Sequence, residues 1–136
     1  MKKLMFKIAT LSLLLIAVPM AAQAETGWTK YKPGLVKSAI GNGKTVLLGY
    51  LSSWWGTCTR QKSVLKKLRA SYPQYNNSIE FVLIDWGKFS AHDVTISRKI
   101  PRRSTMVLIK NGTEVGRLVA QTSEPKIKEL LDNGLK

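Results

Sequence analysis

The chain has 136 residues, one cysteine and a formal net charge of +14, from 22 lysines and arginines against eight aspartates and glutamates. This length allows a single small domain, and one cysteine excludes an internal disulfide framework. Such a charge is compatible with anionic surfaces, acidic partners or nucleic acid, although a solvated positive surface without a specific partner is the commoner explanation. Because the sequence has no nucleic-acid-binding motif, we expect no nucleic-acid partner.

The first 24 residues have the three parts of a secretory signal peptide. Three lysines lie within the first seven residues, an apolar run covers 8–18, and Ala22-Gln23-Ala24 supplies a small-x-small cleavage site. A retained membrane anchor is the alternative, but the run is short for a hydrocarbon core of about 30 Å. We therefore predict cleavage after Ala24, a periplasmic or secreted domain over 25–136, and no stable membrane anchor. The cleaved chain would carry 19 basic and eight acidic residues, a net charge of +11.

The first half of the domain alternates helical and strand patterns. Residues 33–40 predict a short helix, which Gly41-Asn42-Gly43 closes. The near-continuous apolar run 45–51 predicts a strand buried on both faces. A helix is predicted over 57–72 and stops at Pro73, and a second buried strand is predicted over 80–86. The expected apolar face of the longer helix consists of Val64, Leu65, Leu68 and Tyr72.

The second half contains a helix, a hairpin and a final helix. Ser90 followed by Asp93 resembles a capping box, so a helix is predicted over 90–99. Asn111-Gly112 between the apolar runs 105–109 and 114–119 is a strong hairpin signal. Thr122 or Ser123 is expected to cap a helix that carries Ile127, Leu130 and Leu131 and stops at Gly134. The predicted order, α-β-α-β-α-β-β-α, gives a mixed sheet covered on both faces.

This order and three segments resemble the thioredoxin family. VLLGYLSSWWGTCTRQKSVLKKL resembles the segment in which a buried strand leads to W-C-x-x-C and a long helix. EFVLID resembles the next central strand, and STMVLIKNGTEVGRLV resembles the terminal hairpin. The similarity is closest to exported thioredoxin-like proteins with W-C-P-T-C and Ser-Thr in the later loop. It implies an α/β thioredoxin-like fold, a mixed central sheet with helices on both faces, and thiol–disulfide oxidoreductase ancestry in redox homeostasis. We expect a monomer.

The departures from the family pattern concern its chemistry. Trp55 stands where the family has its nucleophilic cysteine, and Cys58 stands at the second, resolving cysteine. Gly49 stands six residues before Trp55, where the family has a buried aspartate that helps move the proton of the second thiol. Ser104 takes the position of the cis-proline, as in the closest relatives. The resemblance thus implies that both the nucleophile and the proton carrier are absent.

Each residue around the motif has alternative interpretations. Cys58 is either a monothiol that forms mixed disulfides or a small buried hydrophobic residue, and its shielded position favours burial. Trp54 is expected to pack structurally. Trp55 either anchors a ligand at the rim of the groove or folds over and caps it.

The expected binding groove faces the motif. Its predicted members are Trp54, Trp55, Gly56, Thr57, Arg102, Arg103, Ser104 and Thr105. Arginine beside tryptophan favours a cation–π contact or a carboxylate clamp. The expected partner of the groove is a protein or peptide. The arginines either make the groove a site for an anionic partner or belong to a charged loop that contacts only solvent. His92 is interpreted as a surface or capping residue, and we expect no metal and no cofactor.

Two functional hypotheses follow from the resemblance and its departures. The first is an exported non-catalytic binding or accessory protein that retains the groove. The second is a residual monothiol thiol–disulfide oxidoreductase that acts through Cys58. The residues at the motif favour the first hypothesis.

Overall fold

The computed structural model describes residues 27–136, so the signal peptide predicted over 1–24 lies outside the described residues. This part of the chain forms five strands and six helices. In chain order they are β1 (Thr29–Lys30), α1 (Leu35–Gly41), β2 (Thr45–Leu51), α2 (Gly56–Ser71), α3 (Gln74–Ser78), β3 (Ile79–Asp85), α4 (Trp86–Phe89), α5 (Asp93–Ile96), β4 (Thr105–Lys110), β5 (Thr113–Val119) and α6 (Glu124–Asn133).

The strands form one mixed sheet in the order β1-β3-β2-β4-β5. Strands β1, β3 and β2 run parallel to one another, whereas β4 is antiparallel to β2 and β5 is antiparallel to β4. Leu48 lies opposite Val82 on one side and Val107 on the other. The central position of β2 explains its continuous apolar sequence, because both of its faces are covered.

Two hydrophobic clusters cover the two faces of the sheet, as the alternation of side chains along a strand requires. Val46, Leu48 and Tyr50 of β2 enter the cluster that includes α1, α4 and α5. Leu47 enters the other cluster, whose helical members come from α2, α3 and α6. The predicted fold class, a mixed central sheet with helices on both faces, is confirmed.

The single helix predicted over 90–99 is wrong. The Asp85 side chain accepts a hydrogen bond from the Gly87 N–H at 2.9 Å, which ends β3 one residue early and starts the four-residue helix α4. A second short helix, α5, begins after His92, whose Nδ1 accepts from the Val94 N–H at 3.3 Å. Two local caps therefore replace one helix, and His92 has the capping role predicted as one of its alternatives.

Besides the additional short helix, two elements of the structure, β1 and α3, are missing from the predicted order. Strand β1 has only two residues, too few for an alternating pattern, and helix α3 is a polar single turn that begins after Pro73. The hairpin is confirmed, with Asn111 and Gly112 both at positive φ (51° and 74°). The final helix begins after Ser123, which makes no side-chain capping bond, and ends at Gly134. Within 27–136 no helix is both long and apolar enough to span a bilayer.

Candidate functional site

The site lies where β2 gives way to α2. Trp55 is the residue before the first turn of α2, with extended φ and ψ (−93° and 123°), and its carbonyl accepts from the Thr59 N–H at 3.0 Å. Because the first N–H groups of a helix have no partner within it, this end carries partial positive charge. A thiol at Trp55 would lie in that field, whereas an indole gains nothing from it.

Cys58 lies in the first turn of α2 and is fully buried, with 0% of its surface exposed. Its Sγ accepts from the Ser52 N–H at 3.3 Å and lies 2.8 Å from Ser104 Oγ. The thiol is free, as the sole cysteine of the chain must be unless it pairs with another molecule. The expected burial of Cys58 is confirmed, and its sulfur is held by polar contacts as well as by apolar packing.

Ser104 joins the loop before β4 to three other segments. It adopts φ +62°, a left-handed conformation that costs a non-glycine residue about 1–2 kcal/mol. Its N–H donates to the Tyr50 carbonyl at 2.7 Å, and its own carbonyl accepts from Ala120 N–H and Gln61 Nε2, both at 2.8 Å. These bonds offset the conformational cost and hold the hydroxyl against Cys58.

Arg103 forms a cluster with the two tryptophans, which we call the aromatic clamp (Trp54, Trp55 and Arg103). The guanidinium carbon of Arg103 lies 4.9 Å from the Trp54 ring centroid and 4.7 Å from that of Trp55. The two indoles meet edge to face at 5.3 Å. Trp54 is 71% exposed, so its predicted packing role is wrong. The predicted cation–π contact is present, and both rings contact the same cation.

The other predicted groove residues contribute less. Gly56 and Arg102 are exposed, and Thr57 is half-buried. Thr105 is buried, and its Oγ1 donates to the Arg102 carbonyl at 2.7 Å, which holds the loop in place. The structure thus brings together the clamp residues, Ser104 and Cys58, but the Thr105 side chain serves the loop itself.

Gly49 has a packing reason for its missing side chain. A Cβ placed there would lie 2.9 and 3.0 Å from two carbon atoms of the Trp28 indole. The ring of Trp28 packs edge-on against Phe81, with centroids 5.8 Å apart. The space beside Gly49 is therefore filled by an indole, and a carboxylate at this position would need Trp28 to move.

Gln61 is a site residue that sequence reasoning missed. Its side chain is fully buried, and Nε2 donates to the carbonyls of Ser104 (2.8 Å) and Gln121 (2.9 Å). The sequence signal for Gln61 was its helical spacing from Cys58 and Leu65, three residues after the first and four before the second. The buried residues of α2 are Cys58, Gln61, Leu65 and Leu68. The predicted face was displaced toward Val64, which is half-buried, and Tyr72, which is exposed.

The remaining predicted residues form no metal centre. Residues 27–136 contain no group of three or more histidine, cysteine, aspartate or glutamate side chains arranged to hold an ion. The other cations of α2, Arg60, Lys62, Lys66 and Lys67, are exposed, whereas Arg69 is half-buried. Its guanidinium carbon lies 3.8 Å from the centroid of the Phe81 ring.

Curated proteins that are similar to this chain in sequence include thioredoxins. No protein-family model matches the chain. Thioredoxin-1 of Saccharomyces cerevisiae is 29% identical over 82 residues, which cover 60% of this chain and 74% of that protein. Thioredoxin of Echinococcus granulosus is 29% identical over 96 residues, covering 71% of this chain and 83% of the relative.

Solved structures share the fold. Trxlp from Edwardsiella tarda matches with a TM-score of 0.68 and 23% identity, over 76% of this chain and 97% of its own. Thioredoxin from Malassezia sympodialis matches with a TM-score of 0.68 and 18% identity, over 80% of this chain and 94% of its own. With its mixed five-stranded sheet, the chain has a thioredoxin-like fold, and its sequence is similar to those of thioredoxins.

Proposed function

We propose that this chain is an exported accessory protein of redox homeostasis that binds a protein or peptide partner and does not catalyse dithiol exchange. The observation that carries the proposal is the state of the thiol. The sole cysteine, Cys58, is fully buried, and the exposed start of α2 holds Trp55 in place of a nucleophile. Disulfide reduction by the family mechanism needs one thiolate to attack and a second thiol to release the mixed disulfide, and this chain has one.

The aromatic clamp supports partner binding. Within 27–136 the Arg103 guanidinium has no hydrogen-bond acceptor or carboxylate partner, and the two indoles fix its position. A stacked guanidinium keeps its N–H donors for a planar anion such as a carboxylate. The exposed Trp54 adds a rigid apolar surface of the kind that dominates binding energy at interfaces. An acidic peptide is the partner chemistry that this arrangement favours.

The alternative function is that of a monothiol oxidoreductase. In that reaction the Cys58 thiolate would attack a disulfide R–S–S–R′ and form Cys58–S–S–R with release of R′S⁻. A thiol from a partner or a small molecule would then attack the mixed disulfide and regenerate Cys58. Ser104 Oγ, at 2.8 Å from Sγ, is placed to donate a hydrogen bond to the thiolate. The attack requires access to a sulfur that has no exposed surface.

Thiol labelling distinguishes the two functions. We expect a thiol reagent at neutral pH to leave Cys58 largely unmodified in native buffer and to label it completely in denaturant, because the folded chain shields the sulfur. Rapid labelling in native buffer would overturn the proposal in favour of the monothiol enzyme. The matched control is the double variant Cys58→Ser and Thr59→Cys, which moves the thiol to the exposed neighbouring position and should be labelled rapidly while folded.

A further inference from the structure

A second candidate site lies beside β1 and shares no residue with the aromatic clamp. We call it the basic groove, lined by Trp28, Lys30, Lys62, Lys66 and Arg69, with Leu83 also in its wall. The three cations of α2 are spaced i, i+4 and i+7 and therefore share one face of the helix. Lys30 lies across from them on the edge strand.

Among residues 27–136, no acidic side chain compensates the positive charge of the basic groove. The ion pairs formed within 27–136 are Lys44–Glu80, Lys67–Glu124, Arg117–Glu114 and Lys128–Asp132. None of them includes a cation of the groove, and its known lining contains no acidic residue from the described part of the chain. Lysines one turn apart on a helix repel each other. An anionic ligand would relieve that repulsion and stabilise the fold.

One cation of the groove is held by hydrogen bonds, and the other three have no such partner within 27–136. Arg69 donates to the Gly27 carbonyl and to Asn76 Oδ1, both at 2.6 Å, and stacks on Phe81. The side chains of Lys30, Lys62 and Lys66 make no hydrogen bond within the described residues. The groove therefore has an indole and a guanidinium held by neighbouring groups, with lysine ammonium groups along its sides.

We propose that the basic groove binds an extended acidic peptide segment with carboxylates at alternate positions. Four residues of α2 rise by about 6 Å, and alternate side chains of an extended chain lie about 6.8 Å apart on one side. Carboxylates at every second residue thus match the spacing of Lys62 and Lys66. Within residues 27–136 no strand pairs with the outer edge of β1, so this edge can pair with the backbone of such a segment. A single extended chain fits into a groove more readily than a flat membrane surface does.

The test uses a fluorescent peptide of alternating glutamate and threonine, with binding followed by anisotropy. We expect Lys62→Gln with Lys66→Gln to weaken binding at least about fivefold, from two lost ion pairs. The matched control, Lys32→Gln with Lys37→Gln, removes the same charge from exposed positions outside the groove and should stay within about twofold. Binding should weaken as the ionic strength rises from about 0.01 M to about 0.15 M, because the Debye length shortens.

Three outcomes would overturn the proposal. Equal weakening by both lysine pairs would show attraction to net charge alone. Equal affinity for a peptide whose glutamates are contiguous would show that carboxylates at alternate positions of an extended chain are not what the groove recognises. Binding to phosphatidylglycerol vesicles without binding to the peptide would assign the groove to a membrane surface. Because the aromatic clamp is also proposed to bind an acidic peptide, the two lysine pairs are compared again in the Trp54→Ala background. The weakening caused by Lys62→Gln with Lys66→Gln should persist there, which separates this inference from the function proposed for the clamp.

Discussion

At the residue scale, two side chains at the N-terminal end of α2, Trp55 and Cys58, bear on the thiol chemistry of this chain. Trp55 lies at the N-terminal end of α2, and Cys58 lies about one turn further along the helix without exposed surface. A thiol at the helix start would be accessible to a partner disulfide, but the side chain at that position is an indole, which has no nucleophilic atom.

Trp55→Cys should restore some disulfide reduction. The change creates the sequence Cys-Gly-Thr-Cys, with the introduced thiol at the helix start, where partial positive charge lowers its pKa. We expect a rate at least about tenfold above that of the unsubstituted chain in a disulfide-reduction assay, because thiolate attack and release both become available.

The matched control is Trp54→Cys, which adds a thiol one residue earlier, outside the two-residue spacing, and should give little activity. An inactive Trp55→Cys variant that is folded would show that a second thiol at the start of α2 is not sufficient for disulfide reduction. Gly49 would then be the next residue to examine, because the Trp28 indole fills the space beside it.

At the element scale, α2 connects the site to the rest of the sheet. Its buried face includes the amide side chain of Gln61 among apolar side chains. That amide donates to the carbonyl of Ser104, just before β4, and to the carbonyl of Gln121, just after β5. Gln61 thereby links three parts of the chain that are distant in sequence. A buried carbonyl that loses its donor costs more than the bond itself contributed.

Gln61→Leu should lower the free energy of unfolding by about 1–2 kcal/mol, because it leaves the Gln121 carbonyl without this donor and removes one of two donors to Ser104. Urea unfolding followed by circular dichroism measures the change. Gln74→Leu, at an exposed position of α3, is the control and should stay within about 0.5 kcal/mol. A Gln61→Leu variant as stable as the unsubstituted chain would contradict the linking role.

At the scale of the whole molecule, buried tyrosines couple stability to pH. Burial is the main cause that raises the pKa of Tyr75 to about 12, and its hydrogen bond to Asp132 adds to the shift. Burial likewise raises the pKa of Tyr50, whose hydroxyl donates to the Val94 carbonyl at 2.6 Å. The unfolded chain therefore loses these protons at a lower pH than the folded chain does.

The free energy of unfolding should thus fall as pH rises from about 10 toward about 12, because deprotonation then favours the unfolded state. Below about pH 10 this contribution is fully present. Tyr75→Phe removes one titrating group. Between about pH 10 and about pH 12, the free energy of unfolding of this variant should therefore fall by about 1–2 kcal/mol less than that of the unsubstituted chain. Urea unfolding at a series of pH values measures it.

The sequence by itself determined the four longer strands, the long helix, the hairpin and the presence of a single cysteine. Continuous apolar runs mark β2 and β3, because these strands are covered on both faces. Asn111-Gly112 marks the hairpin, because the turn needs two residues at positive φ. The presence of a single cysteine needs no structure to establish it. The predicted helix over 90–99 failed because the side chains of Asp85 and His92 create two local caps.

Only the tertiary structure decided how the site residues meet. The placement of Arg103 against both indoles, the contact between Ser104 and Cys58, and the burial of Gln61 join residues from separate elements. The exposure of Trp54 and the packing of Trp28 beside Gly49 also depend on neighbours far along the chain. Local patterns report periodicity and turns, whereas these contacts arise from the packing of α2 and the loop before β4 onto the sheet.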